Sequence, residues 1–187
     1  ILPLSSPKLK VAFIHEKTAT TSGWTYAHDL GRLHLEETFP DELVTTCYEN
    51  VTVQNITSLL EQAIEDGNTI IFTTSPPLLK ASIKAAIEHP DIKILNCSIH
   101  NTSRAVRTYY ARMYEAKFLM GAIAGSLAEN GKIGYIADYP IMGMIANINA
   151  FAFGAKMVNP RAKIYLEWST LKNSNPEKTF QENDIRY

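Results

Sequence analysis

Four short apolar runs recur along the chain with almost no polar alternation: LKVAFI (Leu9 to Ile14), TIIFTTS (Thr69 to Ser75), IKILNCS (Ile92 to Ser98) and KIGYIAD (Lys132 to Asp138). A strand with one wet face alternates with period two, whereas a strand covered on both faces does not, so these runs predict the strands of a parallel sheet. VTTCYENV and AKIYLEW are two further strand candidates. Between them the apolar period becomes helical. Ile56, Leu59, Leu60, Ala63 and Ile64 make one stripe, Leu79, Ile83, Ala86 and Ile87 another, and Tyr26, Leu30 and Leu33 predict a buried stripe on a third helix. Asn55 is placed to cap the first of these and Gly67 to end it, while Ser75 before Pro76 offers a hydroxyl cap and a first-turn proline. Strand and helix alternate roughly every 25 residues, with connections that allow right-handed βαβ crossovers. The pattern predicts an α/β fold, a doubly wound, mostly parallel sheet with helices on both faces.

Composition removes several function classes. Across 187 residues, 18 Lys and Arg stand against 19 Asp and Glu, so no basic field exists to hold a phosphate backbone, and a nucleic-acid partner is not expected. No apolar stretch approaches the ~18 residues of a membrane span; FLMGAIAG is too short, and Ile1 opens no signal-like segment. Cys47 and Cys97 each sit in an apolar run, where a small buried thiol is the simplest reading.

Ligands of doubly wound sheets bind beyond the carboxyl ends of the strands. In this chain those places hold HEKTATTSG followed by Trp24, then Thr73, Thr74 and Ser75, then NCSIHN, then ADYPI. All four are rich in neutral donors and acceptors, which suit a polyhydroxyl or amide-bearing small molecule. Competing chemistries lack their residues. The first turn, TATTSGW, has one glycine and no dinucleotide or phosphate-loop spacing, and no G-x-S-x-G elbow occurs. The five histidines show no H-x-x-x-H spacing and the cysteines no C-x-x-C, so neither a metal site nor any cofactor is expected. Glu16 and Asp138 both follow strands, but capping or loop bonding suits them better than acid–base work. No enzyme is expected. Trp24 lies two positions before Tyr26, off the apolar stripe, which leaves a core role and a ligand-stacking role both open.

GWTYAHDLGR, FTTS after a strand, YYARMYEAKFLMGAIAG, KIGYIADYPI and INAFAFGAKMVNPRAK follow one another in an order and with gaps that resemble the basic membrane lipoprotein family of ABC-transporter substrate-binding proteins, purine-nucleoside receptors among them. The resemblance runs from Lys8 to Trp168. It implies a periplasmic-binding-protein type I fold, two α/β lobes closing on a nucleoside, and a membrane permease as partner. It also implies an extracytoplasmic, membrane-anchored parent. On that basis residues 1–130 form a first lobe, 131–170 begin a second, incomplete lobe, and 171–187 are a polar tail or truncated segment. The aromatic that stacks on the purine matches Trp24. Thr73, Thr74, Ser75, Asn96 and Ser98 would address ribose and base, Thr20 and Thr21 in the first loop are further ligand-binding candidates, and Asp138 and Tyr139 would lie near the cleft or hinge. Two departures stand out: Thr21 occupies the place where family members commonly carry an aspartate, and SPPLLKAS lacks the usual glycine and aromatic. They leave open a different ligand, or a sensing or interaction module of a larger regulatory protein that has lost the nucleoside site. An exposed cleft face or sheet edge would favour self-association.

Overall fold

The computed structural model describes residues 7–99, 103–138, 140 and 142–187. The chain divides into two compact units, 1–110 and 111–187.

The first unit contains β1 (Leu9–Ile14), α1 (Gly23–Thr38), β2 (Leu43–Tyr48), α2 (Ile56–Glu65), β3 (Ile70–Thr73), α3 (Leu79–Glu88), β4 (Lys93–Cys97) and β5 (Val106–Tyr109). The strands form one sheet in the order β2-β1-β3-β4-β5, with every pairing parallel. Val11 to Ile14 are all buried, as the missing alternation requires. Ala12, Ile14 and Ile71 point to one face and meet Leu60 and Ala63 of α2 and Ala85 and Ala86 of α3. Burying a side chain such as Leu60 stabilises the unit by about 2 kcal/mol. Gly67, at φ +87°, ends α2 by donating its N–H to the Ile64 carbonyl at 2.9 Å.

Two expected caps are not made. Asn55 turns back and accepts from the Thr52 N–H at 2.7 Å. Ser75 precedes a 3₁₀ turn, Pro76–Leu78, and its hydroxyl caps nothing. The reason is local: Pro77 has no N–H to give, and the Leu78 N–H goes to the Ser75 carbonyl.

Helix α1 also departs from expectation. Tyr26, Leu30 and Leu33 are half-exposed, not buried, and the helix turns polar residues to the sheet instead. Arg32 donates to Asp29 at 2.6 Å and to the Thr45 hydroxyl at 3.0 Å, and Glu36 accepts from both the Thr45 N–H and its hydroxyl. Since β2 is an edge strand, half its backbone groups have no strand partner, and Glu36 supplies one. That need outweighs burial of the leucines. The strand missed by sequence periodicity is β5, a four-residue edge strand paired in parallel with β4.

The second unit holds α4 (Met113–Leu127), β6 (Lys132–Ala137), α5 (Met142–Val158), β7 (Lys163–Trp168) and α6 (Pro176–Glu182), with β6 and β7 paired in parallel. Helix α4, which a boundary at 130 would give to the first lobe, belongs here through close packing on α5. Glycine makes that packing possible. A Cβ on Gly121 would lie 1.9 Å from the Phe151 carbonyl oxygen, and one on Gly154 would lie 1.9 Å from that of Phe118. Residues 171–187 are more than a tail. Asn175 caps α6 by accepting from the Lys178 N–H, the Phe180 ring covers Gly134, and the Tyr187 carbonyl accepts from the Gly134 N–H at 2.7 Å. Among the described residues no helix is long and apolar enough to cross a membrane.

Candidate functional site

In a 2-1-3-4-5 sheet the strand order reverses between β1 and β3, and the crevice beyond their carboxyl ends is where side chains can surround a ligand. His15 and Thr74 sit there, one residue past each strand. The first turn of α1 brings Trp24 to the same place. Its Nε1–H donates to the Thr74 carbonyl at 2.6 Å, so the ring edge is fixed while 39% of the residue stays exposed. His28, one turn on, packs beside it: its Nδ1–H donates to the Trp24 carbonyl at 2.9 Å, and its ring lies 5.2 Å from the indole. Tyr110 flanks the indole at 6.2 Å.

Below this aromatic rim lies a ladder of buried polar groups. The Thr74 hydroxyl donates to the Ile14 carbonyl at 3.0 Å and therefore faces His15 Nδ1, 2.8 Å away, as an acceptor. The imidazole thus carries its proton on Nδ1 and leaves Nε2 as a bare acceptor, with no partner among the described residues. Burial and the neighbouring His28 lower the pKa of His15 to about 4, so the ring is neutral at physiological pH. Asn96 donates from Nδ2 to the Thr73 hydroxyl at 2.8 Å and the Ser75 carbonyl at 2.9 Å. The Thr73 hydroxyl, thereby used as an acceptor, turns its proton to Ser82 at 2.9 Å, and Ser82 donates to the Leu78 carbonyl. Five buried oxygen or nitrogen atoms at this edge have no hydrogen-bond partner among the described residues: His15 Nε2, Ser75 Oγ, Asn96 Oδ1, Ser98 Oγ and the Tyr109 hydroxyl. Each unmade bond costs about 1–3 kcal/mol, which a polar ligand could relieve. Burial also pushes the Cys97 thiol up to about 11 and the Tyr109 phenol well above its ordinary value, so both are neutral. The part of this floor built from Ser75, Asn96, Cys97, Ser98 and Tyr109 is polar and uncharged.

Of the residues the sequence nominates, the sheet brings Trp24, Thr73, Thr74, Ser75, Asn96 and Ser98 to one carboxyl edge. Thr73 and Thr74 spend their hydroxyls inside the fold, as braces. Thr20 and Thr21 are exposed and share the Thr18 hydroxyl, each at 2.9 Å. Asp138 belongs to the second unit, where it accepts from the Ser169 hydroxyl at 2.9 Å and, through its carbonyl, from Thr170. Tyr139 lies outside the described residues. Sequence reasoning missed His15, His28 and the Tyr109–Tyr110 pair. His15 was within reach, since it continues the alternate-residue face of Val11 and Phe13 one step beyond the strand. The tyrosines were harder to place, because Tyr109 ends a strand of only four residues, VRTY, too short for its apolar pattern to be read.

Three comparisons bear on this arrangement. The family described as ABC transporter substrate-binding protein, PnrA-like, matches residues 8–182. A purine-binding protein of Brucella abortus is 35% identical over 162 residues, covering 86% of this chain and 46% of that protein. A protein provisionally named as an ABC transporter glucose-binding protein, from Haloferax volcanii, is 30% identical over 166 residues, covering 89% and 42%. The chain therefore spans about half the length of the curated relatives it matches. Among solved structures, an ABC transporter solute-binding protein from Aeropyrum pernix superposes with a TM-score of 0.75 at 16% identity, covering 95% of this chain and 53% of that one. That likeness shows the periplasmic-binding-protein type I fold.

Proposed function

Because the chain belongs to the Bmp family of PnrA-like ABC transporter substrate-binding proteins, we propose that it is the ligand-holding part of an uptake receptor for a nucleoside or similar small polar metabolite. Trp24 carries this reading: its edge is pinned by Thr74 and much of its surface is left open, beside buried polar atoms that lack partners. An indole held this way offers a flat apolar platform to a base, and stacking tolerates different purines. Ser75 Oγ, Asn96 Oδ1 and Ser98 Oγ then serve as the hydrogen-bonding floor for ring or ribose groups, and Thr20 and Thr21 line the mouth. Thr73 and Thr74 position their neighbours. The purine-binding relative supports a base over a sugar alone. The neutral floor supports an uncharged ligand. In the whole protein the receptor works outside the cytoplasmic membrane, anchored to it, and delivers its ligand to a membrane permease without catalysis.

The test is calorimetry on the full-length protein with purine nucleosides, free purine bases and glucose. Nucleoside binding should weaken about 5- to 150-fold in Trp24→Ala, the loss of one base–aromatic stack. Undiminished affinity in that variant would overturn the stacking role, and selective glucose binding would overturn the ligand class.

A further inference from the structure

Beneath α1, set back from the exposed indole, three side chains converge that no sequence spacing connects. Among the described residues, the ligand atoms of His15, Asp29 and Cys47 lie within 4.8 Å of one another. They arrive from three elements: the end of β1, the second turn of α1, and β2, where Cys47 pairs with Phe13 and so shares the face that His15 continues. From this triad we propose a binding site for a single borderline divalent cation of the Zn²⁺ type, held by His15 Nε2, an Asp29 carboxylate oxygen and Cys47 Sγ, with a fourth position left to water.

Three independent features support it. First, His15 is fully buried and its Nε2 has no partner, while Nδ1 is held by Thr74, whose own hydroxyl is fixed by the Ile14 carbonyl. That is the outer-shell arrangement that presents a bare imidazole nitrogen to a metal. Second, the donor set is nitrogen, oxygen and thiolate sulfur, which suits Zn²⁺ and excludes Ca²⁺ and Mg²⁺, ions that require oxygen ligands. Tetrahedral Zn²⁺ with bonds of ~2.0–2.3 Å separates its ligands by roughly 3.3–3.8 Å, so small side-chain rotations close the cluster. Third, the charges balance. The charged groups facing His15 and Cys47 are Asp29 and Glu49, both negative, and Arg32, positive, with His28 adjacent. With Cys47 as thiolate, three negative groups against one cation leave two charges for a divalent ion to cancel. The thiol gives up its proton to solvent as the metal–sulfur bond forms. Arg32, bonded to Asp29 Oδ1 at 2.6 Å, orients the carboxylate without leaving it doubly engaged.

The site is distinct from the ligand floor of Ser75, Asn96 and Ser98 and stands whether or not a nucleoside binds there. Titrating Co²⁺ into the metal-free full-length protein should give a thiolate-to-cobalt absorption band saturating at one equivalent, unchanged in Cys97→Ala and lost in Cys47→Ala and His15→Gln. Because a core variant can misfold, a second measurement uses the unaltered protein: Zn²⁺, but not Mg²⁺, should slow alkylation of Cys47 at least tenfold, read by peptide mass. A missing cobalt band, a band that survives Cys47→Ala, or equal alkylation rates with Zn²⁺ and Mg²⁺ would each overturn the proposal.

Discussion

The two units solve the same problem, covering a parallel sheet with helices, to different degrees. In the first, five strands and helices α2 and α3 enclose a cluster that includes Ile14, Leu60, Ile71 and Leu78, none more than 1% exposed. In the second, two strands support a smaller cluster of Ala128, Ile133, Tyr135, Ala137, Phe151, Ala155 and Ala162, and much of the apolar surface of α4 and α5 stays outside. Leu119, Ile123 and Leu127 on α4 are 63%, 60% and 51% exposed, and Phe153 on α5 is 70% exposed. A helix apolar all round is written for burial on more than one side. The first unit draws its stability from volume filled by large side chains. The second draws it from backbone approach between two helices.

The difference predicts where each unit breaks. The largest effect is expected from Gly154→Val, whose Cβ would fall 1.9 Å from the Phe118 carbonyl oxygen and 3.0 Å from the Ala122 nitrogen. Backbone cannot step aside as a side chain can, so the cost should reach about 4 kcal/mol, above the usual range for overpacking. Hydrogen exchange should show α4 and α5 losing protection while β1 and β3 keep theirs. Equal loss in both units would mean that they fold as one cooperative body.

The sequence made the first unit more legible than the second, for a physical reason. Runs such as LKVAFI lack alternation because both faces are covered, and that burial is a local property of each strand. The gathering of Trp24, Thr74 and Asn96 at one edge followed, because a parallel sheet aligns all its carboxyl ends. What escaped depended on partners far along the chain. The polar underside of α1 makes sense only once Thr45 is known to lie on an edge strand, 9 residues from Glu36 in sequence but directly below it in space. His15, Asp29 and Cys47 are likewise separated by whole elements, so no metal-binding spacing could announce them. The glycines of FLMGAIAG and FGAK read as small residues in apolar helices, without saying that each faces the backbone of the opposite helix.

A middle-sized effect tests the first unit by its own mechanism. Ile71 is fully buried at the centre of the sheet, paired with Ala12 on one side and Ile94 on the other. Ile71→Ala removes three carbons where packing on both sides limits collapse, and should cost about 3 kcal/mol in denaturant unfolding. The loss should appear in the exchange of β1, β3 and β4 and leave the α4–α5 pair untouched. A cost under about 1 kcal/mol would show that this core relaxes freely and that the contrast with the second unit is overstated.

The smallest effect on stability carries the sharpest distinction. Leu119, Ile123 and Leu127 are spaced by four and form a ridge along α4 that nothing in its own unit covers. Ile123→Lys should therefore change unfolding free energy by no more than about 0.5 kcal/mol, as a surface substitution does. Its consequence should be in association: sedimentation velocity of the 187-residue chain should show concentration-dependent self-association that the added lysine weakens. Association that persists unchanged would shift the contact to a sheet edge, β2 or β5, in the first unit. A large loss of stability would instead mean that the ridge is covered in the folded monomer, and the distinction between a filled unit and an open one would fail at the residue chosen to show it.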